Sequence, residues 1–190
     1  MAWHFSDIPP QTGRTAVVTG VGGLGFETGL ALAGAGAEVV MAGRNPDKGR
    51  DAVRMIVDAV PAAKVRFERL DLASLASVSA FAERMIAAGR AVDILVNNAG
   101  VMTPQRQQQT ADGFELQFGT NYLGHFALTL QLMPLLRQAP AARVVNLSSL
   151  YARRGVIDFD DLQGARSYRA GRQYGESKLA MLMFALELDR

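Results

Sequence analysis

Residues 14–33 read RTAVVTGVGGLGFETGLALA, a short apolar run that enters a helical pattern through a turn with four glycines in six residues. The β-branched run at 14–19 predicts a buried strand, and the apolar spacing after Gly25 predicts a helix. A glycine-rich turn between a strand and a helix lets the backbone approach a phosphate closely and points helix N–H groups at it. The segment therefore predicts a dinucleotide-binding site, with an ordinary tight turn as the alternative.

The remainder of the chain alternates between predicted strands and predicted helices. Strand-like runs lie at 14–19, 37–42, 64–70, 92–96 and 143–147. Helical patterns lie at 24–34, 46–60, 74–88 and 111–138, with a last one from about 172. Apolar strands in such an alternation imply a parallel sheet covered on both faces. We therefore predict an α/β fold, a doubly wound parallel sheet (Rossmann fold) of five strands, in a single domain over residues 1–190.

A second motif lies near the C-terminal end, where Tyr174 and Lys178 are separated by one turn of the predicted helix and share a face. A cation beside a phenol favours the phenolate, which suits proton transfer to or from an alcohol or carbonyl. The serine pair Ser148-Ser149 ends the predicted strand upstream and could hold the reacting oxygen. Tyr/Lys pairs at this spacing are common on helix surfaces. The motif therefore indicates a function only in combination with the glycine turn.

Taken in order along the chain, these motifs resemble those of the short-chain dehydrogenase/reductase family of the classical type. The matching positions are the glycine fingerprint from Thr19 to Gly25, Asp71-Leu72 after the third strand, Asn97-Asn98-Ala99-Gly100 after the fourth, Asn121, Ser149, Tyr174 and Lys178. The wide Ser149–Tyr174 spacing resembles the retinol dehydrogenase-like and protochlorophyllide reductase-like branch, as do Gly124-His125-Phe126 and Ser177-Lys178-Leu179-Ala180.

The resemblance implies an NADP(H)-dependent oxidoreductase that interconverts an alcohol and its aldehyde or ketone. Ser149 would hold the substrate oxygen, Tyr174 would transfer the proton, Lys178 would bind the nicotinamide ribose and favour the phenolate, and Asn121 would complete a water-linked proton relay. Because hydride moves directly between cofactor and carbon, no metal is required. The expected cofactor-binding residues are Gly20, Gly22, Gly23, Leu24, Gly25, Arg44, Asp71, Leu72, Asn98, Ala99, Gly100, Tyr174 and Lys178.

The glycine turn departs from the family pattern, because only two residues separate Gly20 from Gly23 where three are usual. The same turn also fits the Gly-x-Gly-x-x-Gly pattern of other dinucleotide-binding proteins, with Gly20, Gly22 and Gly25. Two alternatives follow. One is a catalytically silent dinucleotide-binding or dimerisation module, and the other is a nucleotide-binding methyltransferase, which leaves Tyr174 and Lys178 unexplained.

Cofactor choice depends on the end of the second predicted strand, which reads Gly43-Arg44. An acidic residue normally binds a free ribose 2′-hydroxyl there. The guanidinium of Arg44, with Lys48 and Arg50 following, instead suits a 2′-phosphate. We therefore expect NADP(H) to be preferred over NAD(H); a solvated arginine at a helix start is the alternative.

Composition narrows the remaining function classes. The 190 residues are 49% hydrophobic and include no cysteine, which excludes disulfides and thiolate metal sites and fits the cytoplasm. The N-terminal residues 1–7 lack the features of a secretory signal, and no apolar run is long enough to span a bilayer. Net charge +2 gives no argument for nucleic acid. His125 is expected to be packed or half-exposed rather than a metal ligand, and the family suggests a homodimer or homotetramer acting on a small alcohol or carbonyl.

The sequence given ends at Arg190, at the end of the helix that carries Tyr174. Members of the family normally continue with a sixth strand, a substrate-covering loop and usually a seventh strand. We therefore expect a C-terminally truncated family member that lacks these strands and its substrate-binding segment, and that is a poor enzyme in this form. Its last helix should expose part of an apolar face, formed by Leu179, Leu182, Met183 and Leu186.

Overall fold

A computed structural model describes residues 4–190 and contains one parallel five-stranded sheet in the order β3-β2-β1-β4-β5. The residues 1–3 of the N-terminal segment discussed above lie outside the described part. The strands are β1 (Thr15–Thr19), β2 (Glu38–Gly43), β3 (Lys64–Arg69), β4 (Ile94–Asn97) and β5 (Arg143–Asn146). All four strand pairings are parallel, so the predicted doubly wound sheet is confirmed.

Helices connect the strands and cover both faces of the sheet. They are α1 (Leu24–Gly34), α2 (Pro46–Ala59), α3 (Leu75–Ala87), α4 (Gly124–Leu136) and α5 (Ala170–Leu188). Short 3₁₀ turns lie at Phe5–Asp7 and Leu150–Arg154, and a π-helical stretch, Phe118–Leu123, leads into α4. The side chain of Asn45 caps α2 by accepting from the N–H groups of Asp47 and Lys48, and the side chain of Ser74 caps α3 by accepting from the N–H of Ser77.

Two apolar cores lie on opposite faces of the sheet, because successive strand residues point to opposite sides. All five residues of β1 are buried, which explains why its centre, Ala16-Val17-Val18, is apolar without alternation. The first core contains Val17, Val40 and Leu95 of the sheet with Val78 and Phe81 of α3 and Leu128 and Leu132 of α4. The second contains Ala16, Val18, Met41 and Val96 with Ala33 of α1 and Ile56 of α2.

The helix predicted over 111–138 begins later than its pattern suggested. Residues 111–115 form turns and an isolated bridge between Gln109 and Glu115, and helical structure starts at 116. The Thr110 hydroxyl accepts from the N–H groups of Asp112 and Phe114, and Gly113 adopts a φ of 85°. These local hydrogen bonds and the left-handed glycine hold the chain in a turn where a helix was predicted.

The sheet order creates a crevice beside β1, which pairs with β2 on one side and β4 on the other. Connections on the two sides of β1 therefore leave in opposite directions, and the carboxyl ends of β1 and β4 flank the gap. The face of α5 named above is partly exposed, with Leu182 42%, Met183 50% and Leu186 65% accessible. Within residues 4–190, no helix combines the length and apolar character needed to cross a membrane.

Candidate active site

A cleft of about 590 Å³ opens at the carboxyl ends of the central strands. It brings together residues that are far apart in sequence and that the motifs single out. Those lining the cleft are Gly20, Gly22, Leu24, Arg44, Asp71, Leu72, Asn98, Ala99, Gly100, Tyr174 and Lys178. Four further predicted site residues, Gly23, Gly25, Asn121 and Ser149, lie behind or beside this lining rather than in it.

The glycine turn is closed by contacts that only glycine permits. Gly20 and Gly23 have φ angles of 90° and 53°, in the left-handed region. A Cβ on Gly25 would collide with the carbonyl oxygen of Gly20, whereas a Cβ on Gly22 would have no heavy atom within 4 Å. The shortened turn therefore packs tightly on the inside and leaves Gly22 open on the cleft side.

The start of α1 supplies donors suited to a pyrophosphate. Its N-cap residue is Gly23, and no side chain caps the helix there. The N–H groups of the first turn are therefore not occupied by a capping side chain. Farther along the wall, Thr120 lines the cleft and its buried hydroxyl has no hydrogen-bond partner among the described residues. Open backbone donors and an unpartnered hydroxyl are features that a polar ligand such as a dinucleotide would fill.

Two cations lie at the β2 end of the cleft. The exposed side chains of Arg44 and Lys48 both line it, and neither forms an ion pair within the part of the chain described. Arg50, which the sequence placed in the same group, instead pairs with Asp47 on the surface of α2 and does not line the cleft. The cleft therefore has two cations available for an anionic group at this end.

Asp71 borders the same region of the cleft. One of its carboxylate oxygens accepts from the N–H of Ala73 at 3.0 Å, while its own N–H donates to the Ser77 hydroxyl at 2.9 Å. These bonds fix the turn after β3 and leave the second carboxylate oxygen without a hydrogen-bond partner among the described residues.

The loop after β4 forms the central wall of the cleft and is held by two side chains. The Thr19 hydroxyl accepts from the N–H groups of Asn98 and Ala99 at 2.9 and 3.0 Å. The Asn121 carboxamide accepts from the Val101 N–H at 2.8 Å and donates to the Val101 carbonyl at 3.0 Å. Asn121 also donates to the Ser177 hydroxyl at 3.0 Å, so its side chain serves to hold this wall against α5.

Tyr174 and Lys178 lie at the far end of the cleft from Arg44. Lys178 is 6% exposed. Its ammonium donates to the carbonyl of Leu147 at 2.9 Å and lies 5.8 Å from the centre of the Tyr174 ring. Burial lowers the pKa of Lys178. The Tyr174 ring also meets the edge of Tyr151, with centroids 5.5 Å apart. The predicted one-turn spacing thus brings a phenol and a cation to the same wall.

The two serines after β5 differ in position. Ser148, the other member of the serine pair, lines the cleft and donates to the Lys178 carbonyl at 2.8 Å. The Ser149 hydroxyl accepts from the Tyr151 N–H at 3.2 Å, as the cap of the following 3₁₀ turn. The motif alone could not distinguish them, because they follow the last paired residue of β5 and no strand alternation applies there.

His125 is a residue whose importance to the site the sequence did not indicate. It is buried, and its ring contacts the Thr19 hydroxyl and the main-chain carbonyl of Asn121, both at 2.9 Å. Its position four residues after Asn121 places it on the same helix face, and this spacing is the feature of the sequence that could have linked His125 to the site. Among the described residues, no group of three or more His, Asp or Glu side chains is arranged to hold a metal.

Comparison with known proteins gives a consistent result. The family model described as short chain dehydrogenase matches residues 14–190. The chain is 45% identical over 188 residues to polyprenol dehydrogenase of Mus musculus, covering 96% of this chain and 56% of that protein. It is 46% identical over 179 residues to retinol dehydrogenase 13 of Mus musculus, covering 93% of this chain and 53% of that protein. The chain thus spans little more than half the length of these relatives.

Solved structures agree with this assignment. A crystal structure of an uncharacterized protein from Mycobacterium Paratuberculosis superposes with a TM-score of 0.88 at 41% identity, over 99% of this chain and 66% of that one. The Pseudomonas aeruginosa RhlG complex with NADP superposes with a TM-score of 0.73 at 28% identity, over 94% of this chain and 66% of that one. The match favours the dehydrogenase interpretation of the glycine turn over a methyltransferase. The chain belongs to the short chain dehydrogenase family, in the branch that includes the retinol dehydrogenases.

Proposed function

We propose that this chain carries the cofactor-binding and proton-transfer part of an NADP(H)-dependent oxidoreductase that interconverts an alcohol and its aldehyde or ketone. One observation carries the proposal: a single cleft has the glycine turn, two unpaired cations at one end, and Tyr174 with Lys178 at the other. A dinucleotide has the same arrangement, with its adenosine at one end, its nicotinamide at the other and its pyrophosphate between them.

The cofactor would lie along the cleft in one direction. The glycine turn and the first N–H groups of α1 would bind the pyrophosphate. Arg44 and Lys48 would bind a 2′-phosphate, and Asp71-Leu72 would border the adenine. The nicotinamide end would then lie along the Asn98–Gly100 wall beside Lys178. Structures of two relatives that hold NADP or NADPH, at 28% and 25% identity, support the choice of phosphorylated cofactor.

Proton transfer would be the task of Tyr174. In reduction its phenol would give a proton to the carbonyl oxygen of the substrate, and in oxidation the phenolate would take the proton from the alcohol. The buried ammonium of Lys178 would favour the phenolate. The bound nicotinamide would supply or accept the hydride. We assign the substrate oxygen to Ser149, as the family resemblance implies, with Ser148 as the rival hydroxyl because it lines the cleft.

The substrate would be an apolar alcohol or its carbonyl. Met102 lines the cleft and is 67% exposed, while Tyr151, whose ring touches Tyr174, is 51% exposed and its neighbour Leu150 is 75% exposed. An apolar surface beside the reacting group fits a hydrocarbon better than a polar metabolite. The related mouse proteins are named polyprenol dehydrogenase and retinol dehydrogenase, in keeping with such substrates.

Two measurements test the proposal. The first is titration with NADPH and NADH, followed by nicotinamide fluorescence; we expect tighter binding of NADPH. The second is turnover with retinol, a polyprenol and a short polar alcohol in parallel; we expect the short alcohol to be the poorest substrate. Failure to bind either cofactor, or a preference for the polar alcohol, would contradict the proposal. Cytoplasmic location and a homodimeric or homotetrameric state remain predictions, which cell fractionation and light scattering would check.

A further inference from the structure

The central wall of the cleft, residues 98–101, is clamped at both ends. Thr19, at the end of β1, holds the N–H groups of Asn98 and Ala99. Asn121, in the π-helical stretch before α4, holds both main-chain polar groups of Val101. The position of the wall therefore depends on the distance between these two clamps, which belong to different elements of the fold.

His125 joins the two clamps directly. One ring nitrogen, Nε2, lies 2.9 Å from the Thr19 hydroxyl, and the other, Nδ1, lies 2.9 Å from the main-chain carbonyl oxygen of Asn121. The histidine is 1% exposed, and Thr19 and Asn121 are fully buried. Water is thus excluded from the connection, and hydrogen bonds between fully buried groups carry a high cost when one partner is lost.

The hydrogen-bond network assigns the tautomer of the ring. The Asn121 carbonyl can only accept, so Nδ1 carries the proton. The Thr19 hydroxyl already accepts two N–H bonds, which use both of its lone pairs, so its own proton goes to Nε2. The alternative acceptor, the Val96 carbonyl, is farther away at 3.3 Å. The result is a one-way chain of donors from Asn98 and Ala99, through Thr19 and the neutral imidazole, to Asn121.

We infer that His125 is a positioning residue for the cofactor site, which fixes the 98–101 wall by setting the separation of Thr19 and Asn121. The structural part of this inference stands on the contacts alone, and its effect on cofactor binding rests on the proposed function. Burial of the ring lowers the pKa of His125, and the charge of Lys178 lowers it further, while the hydrogen bond to Asn121 acts in the opposite direction; burial prevails, which favours the neutral form that the network needs.

Three variants separate positioning from general stability. His125→Leu removes both bonds, and His125→Asn keeps a donor close to the position of Nδ1 but has no atom at the position of Nε2. Leu132→Ala is the matched control, because Leu132 is fully buried in the same helix but is not among the residues lining the cleft. Hydrogen exchange at the Asn98, Ala99 and Val101 amides reports on the wall without any cofactor.

We expect His125→Leu to accelerate exchange at the three wall amides and to weaken NADPH binding about tenfold, equivalent to about one lost hydrogen bond. His125→Asn should retain protection at Val101 and lose it at Asn98 and Ala99. Leu132→Ala should lower the melting temperature and leave both the wall protection and NADPH affinity within about twofold of wild type. Wall exchange in His125→Leu that matches the Leu132→Ala control would overturn the inference.

The tautomer offers a test that does not depend on any variant folding. In ¹⁵N-labelled wild-type protein, long-range ¹H–¹⁵N spectra at neutral pH should assign the His125 proton to Nδ1, and a proton on Nε2 would overturn the network. Wild-type protein that shows this tautomer and wall protection but does not bind NADPH would refute the proposed function and leave the structural inference standing.

Discussion

The Lys178 ammonium lies 5.8 Å from the centre of the Tyr174 ring and donates to the carbonyl of Leu147 at 2.9 Å. The lysine is therefore anchored to the chain that follows β5, while the tyrosine one turn earlier on α5 faces the cleft. Because burial lowers the pKa of Lys178, keeping a charge here costs folding free energy. A charge maintained in a buried position beside a phenol is better explained by chemistry than by stability.

Replacing Tyr174 with Phe in the full-length protein should abolish most turnover while leaving NADPH affinity nearly unchanged. The substitution removes the hydroxyl and retains the ring that packs against Tyr151. A positioned acid or base contributes about 10²–10⁴-fold to the rate, so a loss in this range is expected in steady-state assays. Tyr168→Phe is the control, because this phenol donates to the Pro104 carbonyl and is not among the residues that line the cleft. More than half of the activity remaining in Tyr174→Phe would remove this residue from the mechanism.

Replacing Lys178 with Ala should reduce both turnover and NADPH affinity. The ammonium lines the cleft and is proposed to contact the nicotinamide ribose as well as to favour the phenolate. The two variants of α5 should therefore differ in one measurement, the dissociation constant for NADPH. If Lys178→Ala and Tyr174→Phe bind the cofactor equally well, the double role of the lysine is wrong.

Arg44 should determine the choice between cofactors. Arg44→Ala is expected to weaken NADPH binding by about 1.5–3 kcal/mol, the value of a charge-assisted hydrogen bond, and to leave NADH binding almost unchanged. Arg50→Ala is a matched control, because Arg50 is a nearby exposed arginine that pairs with Asp47. Calorimetric titrations with both cofactors would decide, and equal losses for NADPH and NADH in Arg44→Ala would refute the assignment.

The elements that the sequence predicted well are those in which local pattern and tertiary burial agree. Examples are the β1 strand, the glycine turn and the start of α1. A strand buried on both faces needs apolar side chains, and a tight turn needs glycine, so the local pattern and the tertiary structure require the same residues. The predicted start of the helix at 111 was wrong, because the Thr110 hydroxyl and Gly113 stabilise a turn that an apolar pattern does not reveal.

The parts of the site that the sequence could not predict depend on distance in three dimensions. Which of Ser148 and Ser149 faces the cleft is set by how the chain leaves β5. Because both residues are serines, the sequence does not distinguish them. The link from His125 to Thr19 spans 106 residues of sequence. A motif search finds each of the two residues in its own segment, but their contact follows only from the packing of α4 against the sheet.

Two glycine substitutions in the same turn should have different effects. A Cβ at Gly25 would collide with the Gly20 carbonyl, so Gly25→Ala should destabilise the fold by about 1–3 kcal/mol. A Cβ at Gly22 has open space around it, so Gly22→Ala should unfold like the wild type. Because Gly22 lines the cleft, its added methyl group should nevertheless weaken NADPH binding. Urea unfolding and cofactor titration of both variants test this, and NADPH binding by Gly22→Ala at wild-type affinity would contradict the proposed path of the pyrophosphate.

Folding stability should depend on pH through His125. Burial lowers the pKa of this histidine from 6.5 to about 4; the bond to Asn121 acts in the opposite direction, and the charge of Lys178 adds to the lowering. Between these two pH values the unfolded chain binds a proton that the folded protein does not, so the free energy of unfolding falls as the pH falls. Since one pKa unit corresponds to about 1.4 kcal/mol, the complete loss from this group is about 3 kcal/mol.

His125→Asn isolates this contribution, because asparagine does not titrate. Other groups, such as Glu176 with its pKa raised by burial, titrate in both proteins and cancel in the comparison. Urea unfolding from pH 7 to pH 4.5 should therefore show the wild type losing its stability advantage over His125→Asn as the pH falls. A difference between the two proteins that stays constant over this range would mean that the buried ring is not held in its neutral form.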